Sequence, residues 1–281
     1  MILFHYCSTS TFFNIVKGRT IWLSSLSSSN DTLEGRWLSV ILRTLCERKG
    51  MPPTSALDLA RRFQMLERIN DCLGFCLSEK GDMLSQWRGY AEDATGVSIG
   101  FNMEAFESVA AIDCDRDWPL RLQKVVYEEE DQLILLNDRF EPIEDLVGRG
   151  AAFQDLLASE PDKGTIEEHR ASRNRNDLLI SKELVGLTDL LYTIKNPAFA
   201  EELEWRFVRE IDGGYRNVDF RTRGDRIVPY QALELPADRQ SVIDHVFVGP
   251  RNPTPAKVIS QFLNAHHMNC PVYPSTATYR R

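Results

Sequence analysis

No apolar run in these 281 residues approaches the roughly 20 residues that a bilayer-spanning helix needs, so no membrane span is expected. The opening residues Met1-Ile2-Leu3-Phe4-His5 lack the basic segment and longer apolar core of a secretion signal, and a cytoplasmic location is expected. There is no Walker phosphate loop, no G-x-G-x-x-G and no H-E-x-x-H, which sets aside phosphate-loop kinases, common dehydrogenases and zincins. No repeat or low-complexity tail is present. Cysteine is sparse: the six residues Cys7, Cys46, Cys72, Cys76, Cys114 and Cys270 are scattered. Cys72 and Cys76 sit in an apolar run without a second ligand pair, so free structural thiols are expected and no metal is assigned. A net positive charge is missing too. The formal charge of −8 argues against a surface built throughout to hold nucleic acid.

What is present, 43% hydrophobic and 26% charged residues, suits an ordinary soluble globular chain, and its strand and helix patterns suit the α+β class. Residues 2–7 read as a strand, and Ser8 or Ser10 as the cap of a helix whose apolar side is Phe12, Phe13, Ile15 and Val16, ended by Gly18. Thr20 to Ser24 reads as a second strand running into a serine loop. Asn30 or Asp31 is the expected cap of a helix carrying Leu33, Trp37, Val40, Ile41 and Leu45, and a helix over 55–69 follows Pro52-Pro53. Residues 72–78 form a buried strand, Asp82 starts a short helix through Trp87 and Tyr90, and Val97 to Phe101 form a strand after Gly96. Arg121 to Tyr127 is a further strand. Helical patterning runs from Glu128 to about Tyr192, broken near Pro161 and Gly164. Strands are then expected at 204–211, 215–221, 226–230, 242–248 and 270–273, with Gly213-Gly214 turning the first hairpin and a helix over 254–266. The expectation is one domain over 1–281 with helical insertions at about 30–70 and 128–193.

Several separated segments carry a resemblance. His5-Tyr6, Ile21-Trp22-Leu23-Ser24, Asn30-Asp31 with Glu34, Cys76 to Trp87 and Tyr90, Gly96 to Phe101, Glu202 to Arg206, Val248-Gly249-Pro250 and Ser275 to Tyr279-Arg280 resemble bacterial domain-of-unknown-function family 2971 along essentially the whole chain. More distantly, a histidine on the first strand, a second strand ending in serine and a late strand opening with Glu204 resemble the layout of ADP-ribosyltransferases. That resemblance implies a split mixed or antiparallel β core with NAD as substrate. His5 would hold a ribose hydroxyl, an aromatic residue would stack on nicotinamide, and a glutamate would lie beside the bond that breaks.

The catalytic candidates are Glu204 and His5, and the nucleotide-binding candidates are His5, Tyr6, Ser24, Arg206 and Tyr90. Breaking the nicotinamide–ribose bond develops positive charge on the sugar, which a fixed carboxylate stabilises. Glu201, Glu202 and Glu204 compete for that role, and on a regular strand Glu202 and Glu204 share a face. Arg206 either meets a phosphate or neutralises Glu204. Strand alternation puts His5 and Tyr6 on opposite faces, so both meet one ligand only at a bulge or strand end. Asn30, Asp31 and Glu34 have capping as their ordinary role. Trp87 and Tyr90 have core packing, and the tail with Ser275, Tyr279 and Arg280 is a candidate for docking back onto the sheet.

Two basic clusters stand out. Arg206, Arg209, Arg216, Arg221, Arg223 and Arg226 form one, and His169, Arg170, Arg173 and Arg175 the other. Scattered acids such as Asp31, Glu34, Asp113 and Asp115 carry no metal-site spacing. The expected function is therefore NAD-dependent transfer of ADP-ribose to a protein or nucleic-acid acceptor, or NAD hydrolysis, in a bacterial stress or phage-defence setting. The alternative is a non-enzymatic module that senses a nucleotide or nucleic acid.

Overall fold

A computed structural model describes residues 1–28, 36–106, 119–148, 166–211, 218–235 and 242–279, except the side chains of 166–174 and 176. The expected sites Asn30, Asp31, Glu34, Asp113, Cys114, Asp115, Arg216 and Arg280 lie outside the described residues, as do the Gly213-Gly214 turn and the break near Pro161 and Gly164. So do the side chains of His169, Arg170 and Arg173. The fold is α+β, built on a ten-stranded, mostly antiparallel mixed sheet. Among the described residues no helix is long and apolar enough to cross a membrane.

The chain divides into two compact units, the first comprising Met1–Ser28, Cys72–Val125 and Ala200–Arg281. Its sheet runs β10 (Val272–Pro274), β9 (Ile243–Val248), β4 (Val97–Asn102), β1 (Ile2–Cys7), β3 (Asp71–Ser78), β2 (Thr20–Ser25), β8 (Arg226–Glu234) and β7 (Asp219–Arg223). Off that path, β6 (Glu204–Ile211) pairs with β3 and with β5 (Arg121–Lys124).

Period-two alternation sorts the side chains of these strands. Leu3 and Cys7 of β1, Ile21 and Leu23 of β2, Leu73, Phe75 and Leu77 of β3, and Val97, Ile99 and Phe101 of β4 all enter one core. Helices α1 (Thr9–Gly18) and α8 (Ala256–Ala265) close that core with Phe12, Ile15, Val16, Ile259 and Leu263. Ser8 caps α1 by accepting the Thr11 amide at 2.9 Å. Phe13 lies at the rim, stacked on Phe262 with ring centroids 5.1 Å apart. On the opposite face of the sheet α4 (Leu84–Tyr90) brings Trp87 onto Tyr6 beside Ala91 and Ala94.

The strand ends meet at a point that only glycine permits. A Cβ on Gly96 would lie 2.0 Å from the Cys7 carbonyl oxygen, and one on Gly249 would lie 2.5 Å from that of Ala94. Both obstacles are backbone, so neither can swing aside.

The second unit, Ser29–Asp71 and Val126–Phe199, is helical. It contains α2 (Trp37–Arg48), α3 (Pro53–Ile69), α5 (Glu129–Asn137), α6 (Glu141–Gly148) and α7 (Ile166–Val185). Helix α2 starts at Trp37, later than the Asn30 or Asp31 cap expected from sequence, and Arg36 at its cap position makes no side-chain capping bond. Glu67 of α3 serves instead, taking the Ser39 amide at 3.1 Å. A carboxylate from another helix satisfies an otherwise orphaned N–H, a role that no local cap signal reveals.

Three further boundaries differ from the sequence reading. Residues 125–127 leave the short β5. Strand β7 begins at Asp219, and β8 continues to Glu234. The hairpin partner of β7 is β8, paired from Asp219↔Tyr230 to Arg223↔Arg226, rather than β6. Gly224 at φ +61° makes that turn, because a left-handed residue there favours glycine.

Candidate functional site

Strand β3 serves three partners. It meets β1 at Phe4↔Ser78 and β2 at Ser24↔Gly74 and Ser25↔Leu73. Alongside β6 it receives two further links, the Glu79 amide donating to the Leu203 carbonyl at 3.1 Å and the Cys72 thiol donating to the Arg209 carbonyl at 3.1 Å. Thus the strands that carry His5, Ser24 and Glu204 all meet one central strand, where the sheet forks, although alternation puts His5 with Leu3 and Cys7 on the core face and Ser24 on the other.

His5 stands at the fork. The β1–β3 ladder is a single residue pair, and beyond it the Cys76 carbonyl is met by His5 Nδ1 at 2.9 Å, while the imidazole stacks on Phe75 at 4.1 Å and 25°. Burial pushes the His5 pKa down to about 4, only partly opposed by the bond to Cys76. The ring is therefore neutral at pH 7. A carbonyl oxygen only accepts, so Nδ1 carries the proton and Nε2 is left as an acceptor.

Tyr6 goes to the opposite face. Its hydroxyl donates to the Lys80 carbonyl at 2.7 Å and accepts the Met83 amide at 2.9 Å, and its ring meets Trp87 edge-on at 4.9 Å. Strand alternation thus separates His5 from Tyr6. Asp82, expected to begin the helix, leaves the capping position to Met83, which makes no side-chain cap bond. Its carboxylate instead gathers Trp87 Nε1 at 2.7 Å, the Ser275 hydroxyl, and both the amide and hydroxyl of Thr276 at 2.7 Å. Burial works against the Asp82 charge, yet the bonds from Ser275, Trp87 and Thr276 outweigh it and hold the carboxyl below its usual range.

The tail beyond β10 therefore folds back onto this face. Tyr279 donates to Asp93 at 2.7 Å, with the guanidinium groups of Arg251 and Arg88 at 5.4 and 5.8 Å from its ring. Arg251 also bonds Asp93. These contacts clamp Glu92, Asp93 and Ala94, three consecutive residues with φ of 49°, 53° and 68°. Each such non-glycine residue costs about 1–2 kcal/mol.

The glutamates part company at Leu203, whose φ is 46°. Glu202 ends the turn Pro197–Glu202 and is not on β6, so Glu202 and Glu204 do not alternate along one strand as expected. Glu202 accepts the Tyr90 hydroxyl at 2.7 Å, and its carbonyl accepts Ser78 Oγ at 2.8 Å. Glu201 is exposed. Glu204 is gripped by Arg206 through Nε–Oε1 at 2.8 Å and Nη2–Oε2 at 2.6 Å, with the Arg206 side chain only 1% exposed. Arg206 therefore neutralises Glu204.

Ser24 accepts Arg221 Nη2 at 2.9 Å. The six-arginine cluster does not form one patch, because Arg206 and Arg209 are buried. Arg209 bonds Gln231, and burial lowers its pKa. Arg223 and Arg226 are exposed, with Arg221 half-buried.

Several residues of this region had no signal in the sequence. Glu79 accepts Trp205 Nε1 at 2.8 Å and pairs with Lys124 at 2.7 Å, so bonds from Lys124 and Trp205 lower its pKa. One motif invites a different chemistry. Gly96-Val97-Ser98-Ile99-Gly100 spells the G-x-S-x-G of serine hydrolases, but that motif needs its serine exposed on a strand-to-helix elbow. Here Ser98 is fully buried inside β4, opposite Tyr6. No hydrolase nucleophile results. Among the described residues no cluster of metal-ligating side chains occurs.

A family model described as "Protein of unknown function (DUF2971)" matches residues 86–207. That is less than half of the chain, rather than the whole length over which the resemblance was drawn. The matched span includes Tyr90, Glu202, Glu204 and Arg206 but neither His5 nor Ser24. Comparison with curated proteins and with solved structures gives no match.

Two measurements test this geometry. Replacing Glu204 by Gln should cost about 3–5 kcal/mol in urea unfolding by breaking its buried pair with Arg206, while Glu204→Met combined with Arg206→Leu should recover at least half of that loss. His5 has a folded pKa below its unfolded value, so the unfolded chain binds the extra proton between pH 6.5 and 4. Stability falls as pH drops through that window, by on the order of 3 kcal/mol from this group at pH 4. In the second unit burial raises the Glu67 pKa to about 7, giving a dependence of opposite sign. The difference between wild type and His5→Phe therefore isolates the histidine. The variant should lose less stability than wild type between pH 7 and pH 4.5, and parallel curves would refute the assignment.

Proposed function

We propose that the fork at β3 is the site of NAD-dependent ADP-ribosyl transfer, within an ADP-ribosyltransferase-like split core. The observation that carries this reading is the pairing of β1, β2 and β6, which carry His5, Ser24 and Glu204, with the same strand. A neutral His5 with Nε2 as acceptor suits a ribose hydroxyl. Ser24 faces away from the core that holds the His5 ring, so it and its partner Arg221 take no part in this reading. Tyr90, 41% exposed while its hydroxyl is held by Glu202, presents a ring for nicotinamide. Tyr6 takes no part, because its hydroxyl is already used by the Lys80 carbonyl and the Met83 amide.

In the step itself, the bond from ribose C1′ to the nicotinamide nitrogen breaks and its electron pair departs with neutral nicotinamide. A hydroxyl or amine of the acceptor, or water, forms the new bond to C1′ and loses its proton to solvent. Positive charge grows on the sugar meanwhile. Glu204, held in place by its two bonds from Arg206, is the carboxylate assigned to oppose it.

The test is chromatographic measurement of nicotinamide released from NAD by the purified full chain, alone and with protein or nucleic acid from cell extract. Release by wild type should fall at least about 100-fold in Glu204→Gln, assayed at a temperature where circular dichroism shows that variant folded. Tyr90→Phe should mainly raise KM. No release by folded wild type under any of these conditions would overturn the proposal.

A further inference from the structure

One face of the sheet edge carries chemistry that the fork does not use. Ile21, Leu23 and Leu233 point into the core, so Trp22 and Ser24 of β2 and Tyr230 of β8 occupy the other side. Trp22 is 38% exposed, and its ring lies 4.4 Å from that of Tyr230, tilted by 35°. The Arg221 guanidinium sits 5.2 Å above the Trp22 ring while bonding Ser24. Strand register puts Arg221 opposite Val228, and Arg223 directly opposite Arg226, on the face that bears Tyr230.

These cations are not neutralised. Among the described residues none of Arg221, Arg223 and Arg226 is ion-paired, and Arg221 Nε is buried without a hydrogen-bond partner. Burial and then the Arg223 charge lower the Arg221 pKa, as expected where like charges gather without a counter-ion. Opposed arginines in a ladder repel, and a bound phosphate turns that repulsion into attraction. Charge on the terminal strand β7 discourages edge-to-edge aggregation. That role does not account for an aromatic pair, exposed Trp22 and half-buried Tyr230, on β2 and β8 inboard of the edge.

We infer that this face binds single-stranded nucleic acid, with bases stacking on Trp22 and Tyr230 and phosphates tracking Arg221, Arg223 and Arg226. Flat rings beside unpaired arginines fit a chain that offers both an open base and a phosphate, whereas a duplex hides its base faces. The overall charge of −8 confines attraction to the patch.

The experiment is fluorescence anisotropy of a dye-labelled oligothymidylate of about 12 nucleotides, matched with its duplex, titrated with the full chain at about 50 and 200 mM salt. Single strand should bind tighter than duplex and weaken with salt. Trp22→Leu and Tyr230→Leu should each lower affinity about 10-fold with the salt slope unchanged. Arg223→Gln combined with Arg226→Gln should reduce the slope by about 1.4, or about 0.7 per lost phosphate contact. No binding at the lower salt would overturn the inference. So would equal binding of duplex, heparin or poly-glutamate that is indifferent to Trp22→Leu. No NAD enters this assay, so its outcome is separate from that of the transferase reading.

Discussion

A β-strand has two hydrogen-bonding edges, and β3 accommodates β1, β2 and β6. Two of the three must therefore share an edge, and neither can form a full ladder along it. The cost of such sharing is a backbone carbonyl without a strand partner, which a buried sheet does not tolerate. Beside the single β1–β3 pair His5 adds a bond from Nδ1 to the Cys76 carbonyl, with its ring stacked on Phe75. Burial keeps the ring neutral, and the bond fixes its tautomer by leaving the proton on Nδ1.

Around it, polar groups are tied into matched sets, of which the Arg206–Glu204 pair is buried. Arg206 and Glu204 neutralise one another beside β3, and Tyr90 reaches Glu202 just before the strand begins. On the far face Asp82 holds the tail while Tyr279 and Arg251 hold Asp93 in its left-handed turn. Such arrangements contribute little net stability compared with an apolar core, but losing one member leaves a buried charge or dipole exposed to the full desolvation penalty. They fix position more than they add energy. That is the property a site for chemistry needs.

Local pattern made much of this architecture legible. Alternation in residues 2–7 and 20–24, the Ser8 cap and a helix following Pro52-Pro53 are short-range signals, and the structure follows them to within two residues. The opposition of His5 and Tyr6 was legible for the same reason, since it needs only the two-residue period of a strand. What stayed hidden was set by partners far away in sequence. The start of α2 depends on Glu67, 28 residues on from the Ser39 amide it caps. Asp82 reads locally as a helix cap but is taken by Thr276, 194 residues later. The acidic run 201–204 reads as a strand face until the Leu203 backbone turns left-handed. Likewise, nothing local distinguishes Arg206, sealed inside, from Arg223 on the surface. Each has an acid two residues away, Glu204 and Asp225, and the two differ in burial, which is tertiary information.

The central claim is that the fork held open by His5 is a nucleotide site. A crystal structure of the full chain with a non-hydrolysable NAD analogue tests it most directly. The account predicts the analogue at β3, with a ribose hydroxyl donating to His5 Nε2 and the nicotinamide ring beside Tyr90. An analogue bound elsewhere, or a fork unchanged and empty at saturating analogue, would contradict it.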